Sequence, residues 1–306
     1  MLKQRVVYFN GKLIPFEQAT LHLMSHSLGR ASTIFEVLSV HETANGPALF
    51  RLDAHVERFM RSAGLLAMAL EPTTEQLMAA VCETVAANRL KQGLVKMIGC
   101  YTAPAFGLLP PETTLDLAVF AVDPEADLGG LNFPFQTGAR LAMAAWRKLD
   151  PACIPIQAKA AAHYLNGMLA LKEAKARGFD SAVMLDRQGY VAECPTESLF
   201  CVMDGQLLTT PLDTTLDSIT RRSILQLAAA EGLPAGERRL LPHELLAAQE
   251  VFICGTPDKI LPVRQIEAQS YTPIPGPLTR RLSRLMERVV TGADERFETW
   301  LYSVSL

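Results

Sequence analysis

The residues best suited to chemistry form an ordered series along the chain: Lys159, Tyr164, Glu193, Glu197, Thr220 and Thr256. Lys159 opens the stretch AKAAAHYLNG, where it stands alone among small apolar residues. A lysine amine joins an aldehyde or ketone once it has lost its proton, and apolar surroundings favour that neutral form. By itself such a lysine is ordinarily a solvated side chain whose stem lies along apolar neighbours. Later segments change the balance. In VAECPTESLF, Glu193 and Glu197 flank a Cys-Pro-Thr turn. A carboxylate there could hold a protonated pyridine nitrogen and keep the ring electron-poor, or simply face water. LDSITRRSILQLAAAEGL starts a helix near Thr220, beside Ile219, and stops it at Gly232. Amides at such a start can hold a phosphate, although an ordinary capped helix reads the same way. EVFICGTPDK ends a strand at Gly255-Thr256 and adds a hydroxyl and a turn. Arg58, inside ERFMR, is a further potential phosphate partner.

Recognisable elements must place these groups. RVVYFNGKLIPF predicts a strand, a turn at Asn10-Gly11 and a second strand. SHSLGRASTIFEVLSV begins with turn chemistry and ends in strand formers. From Leu52 the apolar period becomes helical, with Asp53 in the first turn. TTEQLMAAVCETVAANRL predicts a helix capped by Thr73 or Thr74. LVKMIGCY and TTLDLAVFAV read as strands. An α+β domain over residues 1–122 follows, then a connector over 123–136, then an α/β domain over 137–306. In the second domain, helical patterns recur at HYLNGMLALKEAKARG, TRRSILQLAAAEG and TRRLSRLMERVVTG. ARLAMAAW, SAVMLD, YVAECP, SLFCVMDGQLLTT and EVFICG supply the extended pieces, with a hairpin turn at Asp204-Gly205.

Composition bounds the function. The 306 residues are 49% hydrophobic and 20% charged, enough for a sizeable core. A net charge of -3 carries no basic nucleic-acid footprint, yet leaves room for a locally cationic anion site. MLKQRVVYFNG turns polar too early for a signal peptide, and apolar runs such as LLAMAL are far shorter than a membrane span. The six cysteines form no CxxC pair, and there is no clustered Cys/His metal pattern. A reducing cytoplasm is the expected compartment.

Together, MSHSLGRASTIFE, FRLDAHVERFMRSA, AAWRKLDPACIPIQAKAAAHYLNG, VAECPTESLF, LDSITRRSI and EVFICGTPDKILPVR make the chain resemble the class IV aminotransferases. These are pyridoxal 5'-phosphate enzymes of fold type IV, and the branched-chain amino-acid aminotransferases are the nearest branch. The resemblance spans nearly the whole sequence. It implies a two-domain fold of mixed α/β and α+β character. It also implies a homodimer whose active site lies near the domain junction and is closed by part of the neighbouring subunit. The implied reaction moves an amino group between an amino acid and a 2-oxo acid. By the same resemblance, Lys159 would take the cofactor's aldehyde and shuttle protons, and Glu193 would meet the pyridine nitrogen. Tyr164 would meet the ring hydroxyl, and Arg58, Ile219, Thr220 and Thr256 the phosphate. Glu197 would support Arg58 and Tyr164.

The substrate side departs from the branched-chain pattern. Gly29-Arg30 stands for a histidine-tyrosine pair, Val37 for a glycine after Phe35-Glu36, Ser39 for an arginine, and Leu94 and Lys96 for tyrosine and arginine. Lysine keeps the charge but loses the bidentate fork of arginine. Pro257 removes a backbone donor from the turn that the resemblance places near the substrate carboxylate. Phe35, Arg30, Val37, Lys96 and Pro257 are therefore the candidate substrate contacts. Arg30 and Lys96 could form a new anion site. Aminodeoxychorismate lyase, which shares the fold and commonly has a lysine near the Lys96 position, is the main alternative. D-amino-acid aminotransferase is another, and a noncatalytic dimeric ligand-binding protein is the non-enzyme reading.

Overall fold

The computed structural model describes residues 2–130 and 135–306. The chain forms two compact units: Met1–Leu131 with Ala158–Ala162 and Arg288–Leu306, and Asn132–Gln157 with His163–Glu287. The segment that carries Lys159 thus belongs to the first.

In the first unit, Asn10 and Gly11 both take positive φ (44° and 84°), the backbone that a two-residue hairpin turn needs. They join β1 (Val6–Phe9) to β2 (Lys12–Pro15). The short helix α1 (His26–Arg30) leads into β3 (Thr33–Thr43) and its hairpin partner β4 (Gly46–Phe50). Helices α2 (Leu52–Leu65) and α3 (Thr74–Ala87) precede β5 (Gly93–Cys100) and β6 (Asp116–Val122). Thr73 is the cap of α3, and with Gln76 it forms a reciprocal capping box.

The seven strands form one antiparallel sheet in the order Leu301–Ser303, β4, β3, β5, β6, β1, β2. Alternation along β3 buries Ile34, Glu36 and Leu38, while Thr33, Phe35 and Val37 on the other face stay half-buried. Leu52, Val56 and Phe59 of α2 and Leu77, Val81 and Val85 of α3 join Ile34, Leu38, Val95 and Met97 in one core. Each such fully buried side chain contributes roughly 1.5–3 kcal/mol of transfer free energy. The expected connector begins with a short helix, α4 (Pro124–Leu128), capped by the Asp123 carboxylate. Its residues 131–134 lie outside the described residues.

The second unit contains β7 (Ala139–Met143), most of α5 (Ala161–Ala176), β8 (Ser181–Val183), β9 (Ser198–Met203), β10 (Gln206–Thr209) and α6 (Ile219–Ala230). It continues through β11 (Ala235–Glu237), α7 (Pro242–Leu246), β12 (Glu250–Cys254), β13 (Leu261–Ile266) and β14 (Gln269–Ser270) into most of α8 (Pro277–Val290). The strand order is β11, β10, β9, β12, β13, β7, β8, with β14 on β13. Pairing is parallel at β10–β11, β13–β7 and β7–β8, and antiparallel elsewhere. Leu141, Val183, Leu199, Leu208, Val251, Ile253 and Val263 form the core on the sheet.

YVAECP, expected to be extended, runs back along 184–186 outside the named strands: the Asp186 N–H donates to the Tyr190 carbonyl at 2.8 Å, the Ala192 N–H to the Met184 carbonyl at 2.9 Å, and the Met184 N–H to the Glu193 carbonyl at 3.0 Å. Val191 makes one isolated bridge to Leu185. The Cys194 N–H then turns to the Glu197 carbonyl at 2.9 Å, and Pro195 has no N–H to offer a neighbouring strand.

Candidate active site

In the first unit, the core face of β3 presents Glu36 to α2. Both Arg58 and His55 lie on the buried side of that helix. The Glu36 carboxylate accepts from Arg58 Nε at 2.7 Å and Arg58 Nη2 at 2.8 Å, and lies 2.8 Å from His55 Nδ1. Burial alone would raise the proton affinity of Glu36. Arg58 and then His55 outweigh it and hold the carboxyl down to about 2. Arg58 is therefore a guanidinium whose plane is fixed by a carboxylate.

Lys159 is held through its main chain. Its N–H donates to Ser62 Oγ at 3.0 Å, and its carbonyl accepts from the Phe35 N–H at 3.0 Å. Ala160 bridges to Ile34 beside it. The Lys159 Nζ lies 5.0 Å from the centroid of the Phe35 ring, and Lys96 Nζ lies 5.3 Å from the same centroid. Val37 is the direct cross-strand partner of Lys96. Desolvation first, and then the neighbouring Lys159, lower the proton affinity of the Lys96 amine. Lys159, Phe35, Val37 and Lys96 thus share one neighbourhood. The Arg30 guanidinium donates to the carbonyls of Gly29 at 3.0 Å and Phe106 at 2.9 Å.

In the second unit, the turn 193–197 brings two carboxylates together. Glu193 is 6% exposed, and its Oε1 lies 2.6 Å from Lys148 Nζ. Burial depresses the proton affinity of Lys148, but the Glu193 carboxylate more than offsets this, so the ammonium is held above its ordinary range. Glu197 accepts from Thr196 Oγ1 at 2.6 Å, and burial raises its carboxyl. Helix α5 passes close to this turn because position 167 is glycine. A Cβ there would sit 2.9 Å from the Pro195 carbonyl oxygen. The same helix carries Tyr164 within electrostatic reach of Lys148.

Ser218 caps α6 by accepting from the Arg221 N–H, and Ile219 and Thr220 open the helix in buried positions. Their amides have no carbonyl four residues back within the helix, which makes this end suited to an anion. Gln157 braces the loop that precedes it. Its amide donates to the Leu212 and Thr215 carbonyls at 2.5 and 2.7 Å, and its oxygen accepts from the Asp217 N–H at 2.9 Å. Thr256 lies in the turn after β12, where strand register sets Cys254 opposite Ser198. That register places the turn beside Glu197, whose Cγ would lie 3.8 Å from a Cβ on Gly255. Lys259 Nζ donates to the Thr256 carbonyl at 2.6 Å, and Pro257 is exposed at the tip.

The sequence motifs did not reveal Glu36, Ser62, Lys148 or Gln157 as supports. Glu36 had a signal, an acid at an apolar-phase position of TIFEVLSV. Lys148 lay in WRKLDP without an assigned partner. Gln157 had none, because the carbonyls it braces lie far along the chain.

An amino-transferase class IV family model matches residues 33–266. The branched-chain-amino-acid aminotransferase of Escherichia coli K12 is 31% identical over 306 residues, covering 99% of this chain and 98% of the relative. That of Pseudomonas aeruginosa is 30% identical over 296 residues, covering 96% of each. Among solved structures, the T.th. branched-chain amino acid aminotransferase complexed with N-(5'-phosphopyridoxyl)-L-glutamate matches with a TM-score of 0.94 at 33% identity, covering 100% of both chains. The Thermoproteus uzoniensis branched-chain aminotransferase with norvaline matches at 0.92 and 32%, covering 97% of this chain and 98% of that one.

Proposed function

We propose that this chain, which belongs to the class IV aminotransferase family, uses pyridoxal 5'-phosphate to move an amino group between an amino acid and a 2-oxo acid, with Lys159 as its reactive amine. The observation that carries the reading is the clamped backbone of Lys159, held on one side by Ser62 and on the other by Phe35, with the amine over the Phe35 ring. A fixed main chain limits where Nζ can reach, which is what a proton shuttle requires.

The residues present fit the cofactor's groups. Glu193, ion-paired and buried, suits a pyridinium nitrogen. Tyr164 suits the ring hydroxyl. The start of α6 at Ile219 and Thr220, the Thr256 hydroxyl and Arg58 suit a phosphate dianion. Glu36 contributes by holding Arg58 in one orientation. Bound pyridoxal 5'-phosphate supplies the electron sink for the substrate α-carbon. With that group bound, Lys159 Nζ would be the base that takes and returns the proton of the substrate α-carbon. Glu197 accepts from Thr196 and stiffens the turn that carries Glu193.

For the substrate, we propose a carboxylate-bearing amino donor or acceptor recognised through Lys96, whose ammonium shares the Phe35 ring with Lys159. Branched aliphatic substrates would use the same reaction with Phe35 and Val37 as the apolar contacts. The same lysine favours a second reading, carbon–oxygen lyase chemistry on an aminodeoxychorismate-like substrate. A panel of amino acids with a 2-oxo-acid acceptor separates them. Paired formation of a new amino acid and a new 2-oxo acid is expected. Pyruvate released from aminodeoxychorismate without a paired amino acid would replace this reading with the lyase.

We propose a homodimer as the working form. Phe106, Leu108 and Leu109 in the first unit and Trp146, Leu165 and Met168 in the second are large apolar side chains left exposed on a single chain. No helix among the described residues is long and apolar enough to cross a membrane. The six cysteines are all free thiols, which supports placing the protein in a reducing cytoplasm.

A further inference from the structure

Glu193 can meet a pyridinium proton only as a carboxylate, and it is almost fully buried. The second unit places a cation directly against it. Lys148 Nζ lies 2.6 Å from Glu193 Oε1, and both side chains are largely shielded from water. Lys148 is itself anchored, because its N–H donates to the Leu185 carbonyl at 2.8 Å. The weaker contact from the Leu216 N–H, at 3.5 Å, also falls on Oε1. The other titratable groups that act on Lys148 are Tyr164 and Cys194.

We propose that Lys148 is a positioning residue for the transamination chemistry: it pairs with Glu193 through Oε1 and fixes the orientation of that carboxylate, so that Oε2 serves the pyridine nitrogen of the cofactor. This rests on the pyridoxal-phosphate reading above. Lys148 touches neither substrate nor cofactor in this role, and acts only through Glu193. A purely structural ion pair would tie two segments together without influencing the protonation of the ring.

The test compares wild type with Lys148→Met, Lys148→Arg, Glu193→Gln and the double variant Lys148→Met/Glu193→Gln, all reconstituted with pyridoxal 5'-phosphate. Borohydride trapping and peptide mapping first establish the cofactor on Lys159 in each. The readouts are then the pH titration of the bound cofactor's visible absorption and the pH profile of single-turnover amino transfer. Lys148→Met is expected to keep the Lys159 adduct, move the absorption titration and the acid limb of the profile, and slow transfer roughly 10–100-fold. Lys148→Arg is expected to restore both profiles. The double variant leaves no buried charge unpaired, so it covers the case in which Lys148→Met fails to fold. It is expected to match Glu193→Gln alone, with no further loss from removing Lys148. Lys148→Met with wild-type profiles and rate, or a double variant that loses more than Glu193→Gln alone, would overturn the proposal while leaving the function reading intact. Absence of the Lys159 adduct in wild type would overturn both.

Discussion

Glu36 is wholly buried between Arg58 and His55, a cluster of charged groups shielded from water. Its carboxyl is held down to about 2 in the folded protein, against an ordinary value of 4.5. The folded state therefore favours the carboxylate form more strongly than the unfolded chain does. That stabilisation is complete above about pH 4.5 and is lost as the pH falls through about 2. Glu36→Gln keeps the shape but leaves Arg58 buried without this carboxylate, which is expected to cost about 3–5 kcal/mol at neutral pH. Thermal melts of variant and wild type across pH 7 to 3 check it. The gap should be widest at pH 7 and shrink toward pH 3. Phosphate retention should also fall, because Arg58 loses the group that fixes its plane. The sequence offered Arg58 as a phosphate partner; the residue that orients it was hidden because strand and helix meet only in the fold.

Among the elements, α5 and the 193–197 turn depend on a single small side chain. Gly167→Ala would place a methyl group 2.9 Å from the Pro195 carbonyl oxygen, a backbone atom that cannot rotate away. The expected result is a loss of about 1–3 kcal/mol of stability, as in other overpacked contacts. A larger relative loss of transamination is also expected, since the helix carrying Tyr164 must move from the turn carrying Glu193. Denaturant melts together with kcat and KM check both parts. Elements with strong local chemistry were legible in advance. The hairpin turns at Asn10-Gly11 and Asp204-Gly205 take the positive φ that their residue types allow. Helices α2, α3, α6 and α8 follow their apolar periods, and Thr73 and Ser218 cap α3 and α6. YVAECP runs extended against 184–186 through residues 190–193, and the Cys194-to-Glu197 turn ends that run. The strand Leu301–Ser303 carries little local signal; its pairing with β4 joins distant parts of the chain.

At the scale of the whole molecule, the ordered motifs identified the family and its mixed α/β fold, because each motif joins a reactive side chain to the element that presents it. The return of residues 158–162 and 288–306 to the first unit was not legible, since periodicity reports neighbours in sequence and not partners across the chain. The supports Glu36, Lys148 and Gln157 were hidden for the same reason. The exposed apolar side chains lead to an assembly prediction. Light scattering is expected to give twice the mass of one chain, and Leu165→Asp with Met168→Glu is expected to shift the protein toward monomer. A wild type that stays monomeric and fully active across the assay range would remove the homodimer.

The most direct measurement of the central claim is to reconstitute the protein with pyridoxal 5'-phosphate, reduce it with borohydride, digest it and locate the modified peptide by mass spectrometry. The expected result is a phosphopyridoxyl group on Lys159, lost in Lys159→Ala. A modification on another lysine, or none in a folded and cofactor-saturated protein, would contradict it.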